Sequence, residues 1–201
     1  MPKKTFFNIH EDKRNKLIKA GRREFTKHSL QTSSLNRILN RADIPKGSFY
    51  AYFQDKDEFY WYILNDVIRP RLTSYETLLS EFDGDLFLIE EMHLQEMINL
   101  LKDYEFSGML RNMFLYSYHD VRHKVFDHSE VSFALMYSIH IRHKKHIYKV
   151  HNEQEFLAFY DLLTNMAHAC IFGIVSNSYS EDYAIDLYQK QISYVYDGLY
   201  K

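Results

Sequence analysis

Apolar residues in the first part of the chain recur at helical spacing. Over residues 9–28, Leu17, Ile18, Gly21 and Phe25 fall on one side. Lys13, Arg14, Lys16, Lys19, Arg22 and Arg23 occupy the rest, which predicts an amphipathic helix with a basic outer face. The polar run His28–Ser34 has no period and reads as a break. Thr32 or Ser33 is expected to cap a short second helix that turns Leu35, Ile38, Leu39 and Ala42 inward. Asp43-Ile44-Pro45 interrupts it. Asp tolerates the left-handed conformation that a tight turn requires, and Pro suits the first position of a new helix. A third segment, residues 46–53, sets Phe49 and Phe53 on one face and Lys46, Ser48, Tyr50 and Tyr52 on the other. Two short helices joined by such a turn form a helix-turn-helix. A fourth helix begins at Asp55, where Asp55 and Glu58 have the spacing of a capping box. Lys56 stands against the helix dipole there, a placement that favours a nearby phosphate. Phe59, Tyr60, Ile63, Leu64 and Val67 continue the apolar stripe until Pro70.

The remainder keeps the helical period. Leu94, Met97, Ile98 and Leu101 follow it, as do Leu110, Met113 and Phe114, and Phe133, Met136, Tyr137 and His140. Breaks are expected near Asp83-Gly84, Gly108, Asp127–Ser129, Asn152 and Asn177–Ser180. No internal repeat or low-complexity tract interrupts the series. The segment 154–176 is apolar on two faces, one of them mostly small (Ala158, Leu162, Ala169, Gly173), and so calls for two packing partners. With the closing helix at about 181–200, it is expected to form half of an isologous four-helix interface. The residues assigned to that interface are Ala158, Leu162, Ala169, Gly173, Leu187, Tyr188 and Val195. The rival reading buries both faces within one chain.

Composition narrows the picture to an all-α fold. The chain has 201 residues and is 46% apolar, enough for a real core, yet holds only 6 Gly and 3 Pro. A sandwich or barrel needs more turn residues than that. The one Cys, Cys170, excludes an internal disulfide and a Cys-based zinc site. No signal peptide and no long uncharged apolar run is seen, so a cytoplasmic protein with no membrane partner is expected. The formal net charge of −2 at first argues against nucleic acid. It is an average of two unlike parts, however. Residues 1–71 hold 15 Lys and Arg against 8 Asp and Glu, a surplus of seven positive charges. Residues 72–201 hold 10 against 19, a surplus of nine negative charges. Such asymmetry is a mark of polyanion binding by one part of a chain.

The string SSLNRILNRADIPKGSFYAYFQDKDEF resembles the DNA-binding domain of the TetR family of transcriptional regulators. PKGSFYAYF, the capped helix carrying Lys56, the upstream Phe25 and the Ser33-Ser34 start bear the resemblance. It covers about residues 11–71, with the motif at 34–53. Asp43, Leu39, Pro45 and Ser29 depart from the family's usual Gly, Ala, Ser and Gly; none removes a DNA-facing residue. The resemblance implies a DNA-binding domain over 1–54 and a helical regulatory, ligand-binding and dimerisation domain over 55–201. It also implies a homodimer on a palindromic double-stranded operator, released by a small-molecule effector, with repression as the usual outcome. The DNA-binding residues carried over are Ser33, Ser34, Arg37, Lys46, Gly47, Ser48, Tyr50, Tyr52 and Lys56. Ser33, Ser34 and Lys56 are expected as backbone clamps, and Arg37 at a base edge or phosphate. Tyr50 and Tyr52 suit phosphate oxygens or a thymine methyl.

Other chemistries fare worse. Glu90 and His93 give one Glu-x-x-His, where a di-iron bundle needs two. His119 with His123, and His140 with His143, share helix faces without the further ligands a zinc site requires. His168 and Cys170 diverge at i, i+2. No P-loop or dinucleotide fingerprint occurs. No cofactor, metal or catalytic residue is therefore expected. The competing class is a helical interaction protein that keeps the fold without sequence-specific DNA binding.

Overall fold

A computed structural model describes residues 2–68, 73, 75–104, 106–116, 137–138 and 149–200. Ten α-helices have described bounds: α1 (Lys4–Phe7), α2 (Glu11–Lys27), α3 (Leu35–Ala42), α4 (Lys46–Tyr52), α5 (Lys56–Ile68), α6 (Tyr75–Glu81), α7 (Leu86–Lys102), α8 (Ser107–Tyr116), α9 (Glu153–Val175) and α10 (Glu181–Tyr200). No strand occurs among the described residues, and the fold is all-α. Pro70, His119, His123, Asp127–Ser129, Phe133, Met136, His140 and His143 lie outside the described residues.

The chain packs as two compact units, Met1–Arg71 with Leu101–Asp127, and Leu72–Leu100 with His128–Lys201. In the first, α5 and α8 close over α2. An aromatic cluster forms its centre. Phe25 meets Tyr60 edge-on at 4.9 Å, Phe53 lies 4.8 Å from Phe59, and Phe49 stacks on Phe53 at 5.5 Å. Such ring pairs add about 0.5–1.5 kcal/mol each beyond burial. Asn112 of α8 donates to the carbonyls of Phe25 (3.0 Å) and Thr26 (3.2 Å), two of the groups that the end of α2 leaves without helical donors. The Arg22 guanidinium sits 5.0 Å over the Phe106 ring. The break expected near Gly108 falls just before it, between Lys102 and Ser107, and Gly108 itself stands in the first turn of α8. A Cβ there would stand 2.8 Å from the Thr26 carbonyl oxygen, so its smallness admits α2.

The second unit is built around Leu78, Leu79, Leu86, Phe87, Phe156, Phe159 and Leu163. Asp83 (φ 50°) and Gly84 (φ 73°) turn α6 into α7, and Asn177 (φ 58°) follows α9, as the sequence breaks led one to expect. Asn152 caps α9, accepting from Glu155 N (2.9 Å), while Glu155 takes the His151 N–H (2.7 Å). By length and overall composition α9 could cross a membrane, although Asp161, Thr164, Asn165 and His168 interrupt its apolar character. Half of its most apolar stretch is buried in the protein, the mark of a core helix.

The residues assigned to a subunit interface separate in this unit. Ala158, Leu162 and Ala169 are exposed along one stripe of α9, and Leu187 and Val195 are half-buried. Gly173 is not on that surface. It lies beneath Tyr179 of the same chain, so close that a Cβ would meet the ring at 2.0 Å. Tyr188 is likewise a core residue. Burial and the nearby Glu90, Glu91 and Cys170 push its phenol far above the ordinary range.

Candidate nucleic-acid interface

The turn between α3 and α4 forms as its residues suggest. Asp43 takes the left-handed conformation (φ 55°, ψ 50°), a position where glycine is the usual residue and Asp is tolerated. The Ile44 N–H reaches back to Leu39 O (3.0 Å), and Ile44 itself is buried, which closes the end of α3. Pro45 stands one position earlier than expected, as the N-cap of α4, and its carbonyl accepts from Phe49 N (3.2 Å). Phe49 and Phe53 anchor the inner face of α4. Lys46 and Gly47 are exposed, Ser48 is half-buried and Tyr50 keeps 42% of its surface in solvent. A Cβ on Gly47 would touch nothing within 4 Å, so this spot lies open to a close-approaching surface.

Tyr52 breaks the expected pattern. It is only 7% exposed, because the short helix α1, not foreseen from the pattern, packs over it. The ring of Phe6 lies 6.1 Å from that of Tyr52. The alternation that placed Tyr50 and Tyr52 together holds for a strand; on a helix, residues two apart point about 200° apart.

A buried carboxylate organises the start of α3. Ser34, not Thr32 or Ser33, is the N-cap and accepts from Arg37 N at 3.3 Å. The Ser34 N–H donates to Glu24 Oε1 (2.9 Å) on α2. Arg37 donates to the same oxygen through Nε (2.8 Å) and a terminal nitrogen (2.5 Å). Arg41 stands 3.8 Å from the other carboxylate oxygen. Glu24 is 2% exposed. Burial by itself would raise its pKa, but the hydrogen bonds from Arg37 and Ser34 and the guanidinium charge outweigh it and hold the carboxyl below the ordinary range. The same bond raises Arg37.

Lys56 also turns inward. Its Nζ donates to the carbonyls of Leu30 (2.5 Å) and Ser33 (3.1 Å). Ser33 is buried, and its hydroxyl donates to Leu30 O at 2.8 Å. Asp55 and Glu58 cap α5 as expected, with Glu58 N on Asp55 Oδ1 at 2.7 Å and Gln54 N on Glu58 Oε2 at 2.5 Å. The residues carried over from the motif thus divide. Lys46, Gly47, Ser48 and Tyr50 form the outer face of α4, with Ser34 at the head of α3. Ser33 and Tyr52 are buried, and Arg37 and Lys56 hold internal partners. Sequence reading missed Glu24, although it is the one carboxylate between Asp12 and Asp43, a signal of an internal partner for the arginines around it.

Comparison with known proteins bears on this domain. Residues 17–62 match the family model of bacterial regulatory proteins, tetR family. No curated protein matches the chain. A solved structure, a TetR family transcriptional regulator from Chloroflexus aurantiacus J-10-FL, aligns over 100% of this chain and 99% of its own at 20% identity, with a TM-score of 0.35. The matched segment runs from the middle of α2 through both helices of the motif into α5, so the likeness to the tetR family of bacterial regulatory proteins lies in the helix-turn-helix and its two flanking helices.

Proposed function

We propose that the protein represses transcription as a homodimer on a palindromic operator and is released by a small-molecule effector taken up by its second unit. The single observation that carries the DNA-reading part is the outer face of α4. There Lys46, Gly47 and Tyr50 stand in solvent on a helix anchored from within by Phe49 and Phe53. An exposed cation and an aromatic hydroxyl on a short rigid helix suit phosphate and base-edge contact in the major groove. The surplus of seven positive charges over residues 1–71 supplies the attraction. Dimer formation is supported by the exposed stripe of α9, where Leu162 and Phe172 keep nearly half their surface in solvent. Two copies would present two α4 helices to successive major grooves, which requires a two-fold operator. Such a regulator works in the cytoplasm, where the chromosome is.

The test is a gel-shift series with the DNA upstream of the protein's own coding sequence, run against a scrambled duplex at several salt concentrations. Preferential binding that weakens steeply with salt, and a footprint with two-fold symmetry, are the expected results. Equal affinity for both duplexes would instead support the helical interaction protein, which keeps the fold without reading sequence.

A further inference from the structure

The recognition helix lacks an end of its own. α4 has seven residues, stops at Tyr52 and is followed by neither glycine nor a left-handed residue. Its last four carbonyls, those of Phe49 to Tyr52, need donors from outside the helix ladder. One is supplied locally, by Phe53 N to Phe49 O at 2.9 Å. The other three come from the start of the chain. Lys3 Nζ donates to Tyr50 O (2.7 Å), the Thr5 hydroxyl to Ala51 O, and the Lys3 backbone N–H to Tyr52 O (2.8 Å). Phe6 locks the segment in place. It is fully buried, with its ring 4.8 Å from Phe53 and 5.2 Å edge-on from Tyr62.

We propose that residues 3–6 are a positioning element for the recognition helix, a detached cap that fixes the end of α4 and through it the attitude of Tyr50 toward DNA. This element lies outside the family-matched segment 17–62. It rests on the reading of α4 as the DNA-contacting helix. Lys3 acts here through the protein backbone rather than through a phosphate. A cap of this kind changes sequence discrimination more than general attraction to DNA, because base contacts need α4 held in one register while the charge field does not.

The experiment compares Thr5→Val, Thr5→Ser, Lys3→Ala and a chain lacking residues 2–7 with the parent protein. Two readouts are used. The first is hydrogen exchange of the α4 and Phe53 amides without DNA. The second is binding, by fluorescence anisotropy across a salt series, to a duplex of the protein's own upstream region and to a scrambled duplex. Thr5→Val should speed exchange at the end of α4 and lower affinity for the upstream duplex about tenfold, with binding to the scrambled duplex and the salt slope unchanged. Thr5→Ser, which keeps the hydroxyl, should restore both. If Lys3→Ala instead lowers the slope by about 0.9 and weakens both duplexes alike, Lys3 is a phosphate contact and the proposal falls. It falls equally if the deletion leaves α4 exchange and duplex preference as they were. Should the truncated chain fail to fold, the point variants decide. If the parent protein itself prefers neither duplex, the DNA reading fails, and the exchange data alone still establish or refute the cap.

Discussion

Replacing Glu24 by Gln tests whether the first unit depends on a buried charge. The carboxylate accepts from Arg37 twice and from Ser34 N once, all on one oxygen, and is nearly inaccessible to water. Gln keeps an acceptor for the Ser34 N–H but loses the charge, and its own NH2 group opposes the guanidinium donors. A hydrogen bond to a charged group contributes about 1.5–3 kcal/mol, so Glu24→Gln should cost about 2–3 kcal/mol. Glu24→Ala also strands the Ser34 N–H and leaves a void, and should cost about 3–5 kcal/mol. Trp61, the one tryptophan of the chain, lies buried on α5 within the same unit, so its fluorescence reports this unit's unfolding. With a urea dependence of about 1–3 kcal/mol per molar, the Gln variant should shift the midpoint down by about 0.7–3 M.

Acid gives the decisive comparison. The Glu24 carboxyl titrates below its unfolded value, so its stabilisation is complete above the ordinary carboxylate range and fades as pH falls through the lowered native value. The Gln variant has no such group. The gap between parent and variant should therefore be full at neutral pH and narrow toward about pH 3. A gap of constant size across that range, or no measurable gap at neutral pH, would refute the assignment of a charged, load-carrying Glu24.

Tyr50→Ala should weaken binding to the upstream duplex by about 1–3 kcal/mol with unchanged unfolding, while Tyr52→Phe should leave binding within about twofold. Equal losses at the two positions would contradict their opposite exposure. Gly21→Ala would bring a Cβ to 2.5 Å from Ile63 Cδ1 and 2.6 Å from Phe59 Cε1 across the α2–α5 contact. Overpacking of about 1–3 kcal/mol should outweigh the roughly 1 kcal/mol gained in helix propensity, and a stabilised variant in urea melts would mean that the contact yields freely. Leu162→Glu should convert a dimer to monomer by light scattering. A parent protein that is already monomeric in dilute solution removes that interface.

Much of the N-terminal unit was legible because its signals are local. Asp43, Asp55 and Glu58 act within a few residues of themselves, and backbone rules alone place them. The buried face of α4 follows from Phe49 and Phe53 at i, i+4. What escaped depends on contacts distant in sequence. Tyr52 is covered by Phe6, 46 positions earlier, and no period within residues 46–53 carries that information. Lys56 satisfies carbonyls 23 and 26 positions upstream, so its apparent conflict with the helix dipole is resolved without a phosphate. Gly173 and Tyr188 were misplaced for a related reason. A small residue on a helix admits a neighbour, but the pattern does not say whether the neighbour is another chain or, as here, Tyr179 of the same one.

The same distinction changes what the positive charge of the first unit can do. Fifteen Lys and Arg fall in residues 1–71, but they are not equivalent. Lys3 and Lys56 donate to backbone carbonyls, Arg37 and Arg41 face Glu24, and Arg22 lies over Phe106. These cations shape the domain. Lys16, Lys19, Arg23 and Lys27 on α2, with Lys4 on α1 and Lys46 on α4, are exposed and belong to the part of the surplus that can release counterions from DNA. Since each phosphate neutralised adds about 0.9 to the salt slope, neutralising Lys46 or Lys27 should lower it only where that side chain meets the backbone, whereas Lys56→Met should reduce stability and leave the slope alone. A slope that falls for Lys56→Met would return that residue to the DNA surface and undo the division of cations into internal and external sets.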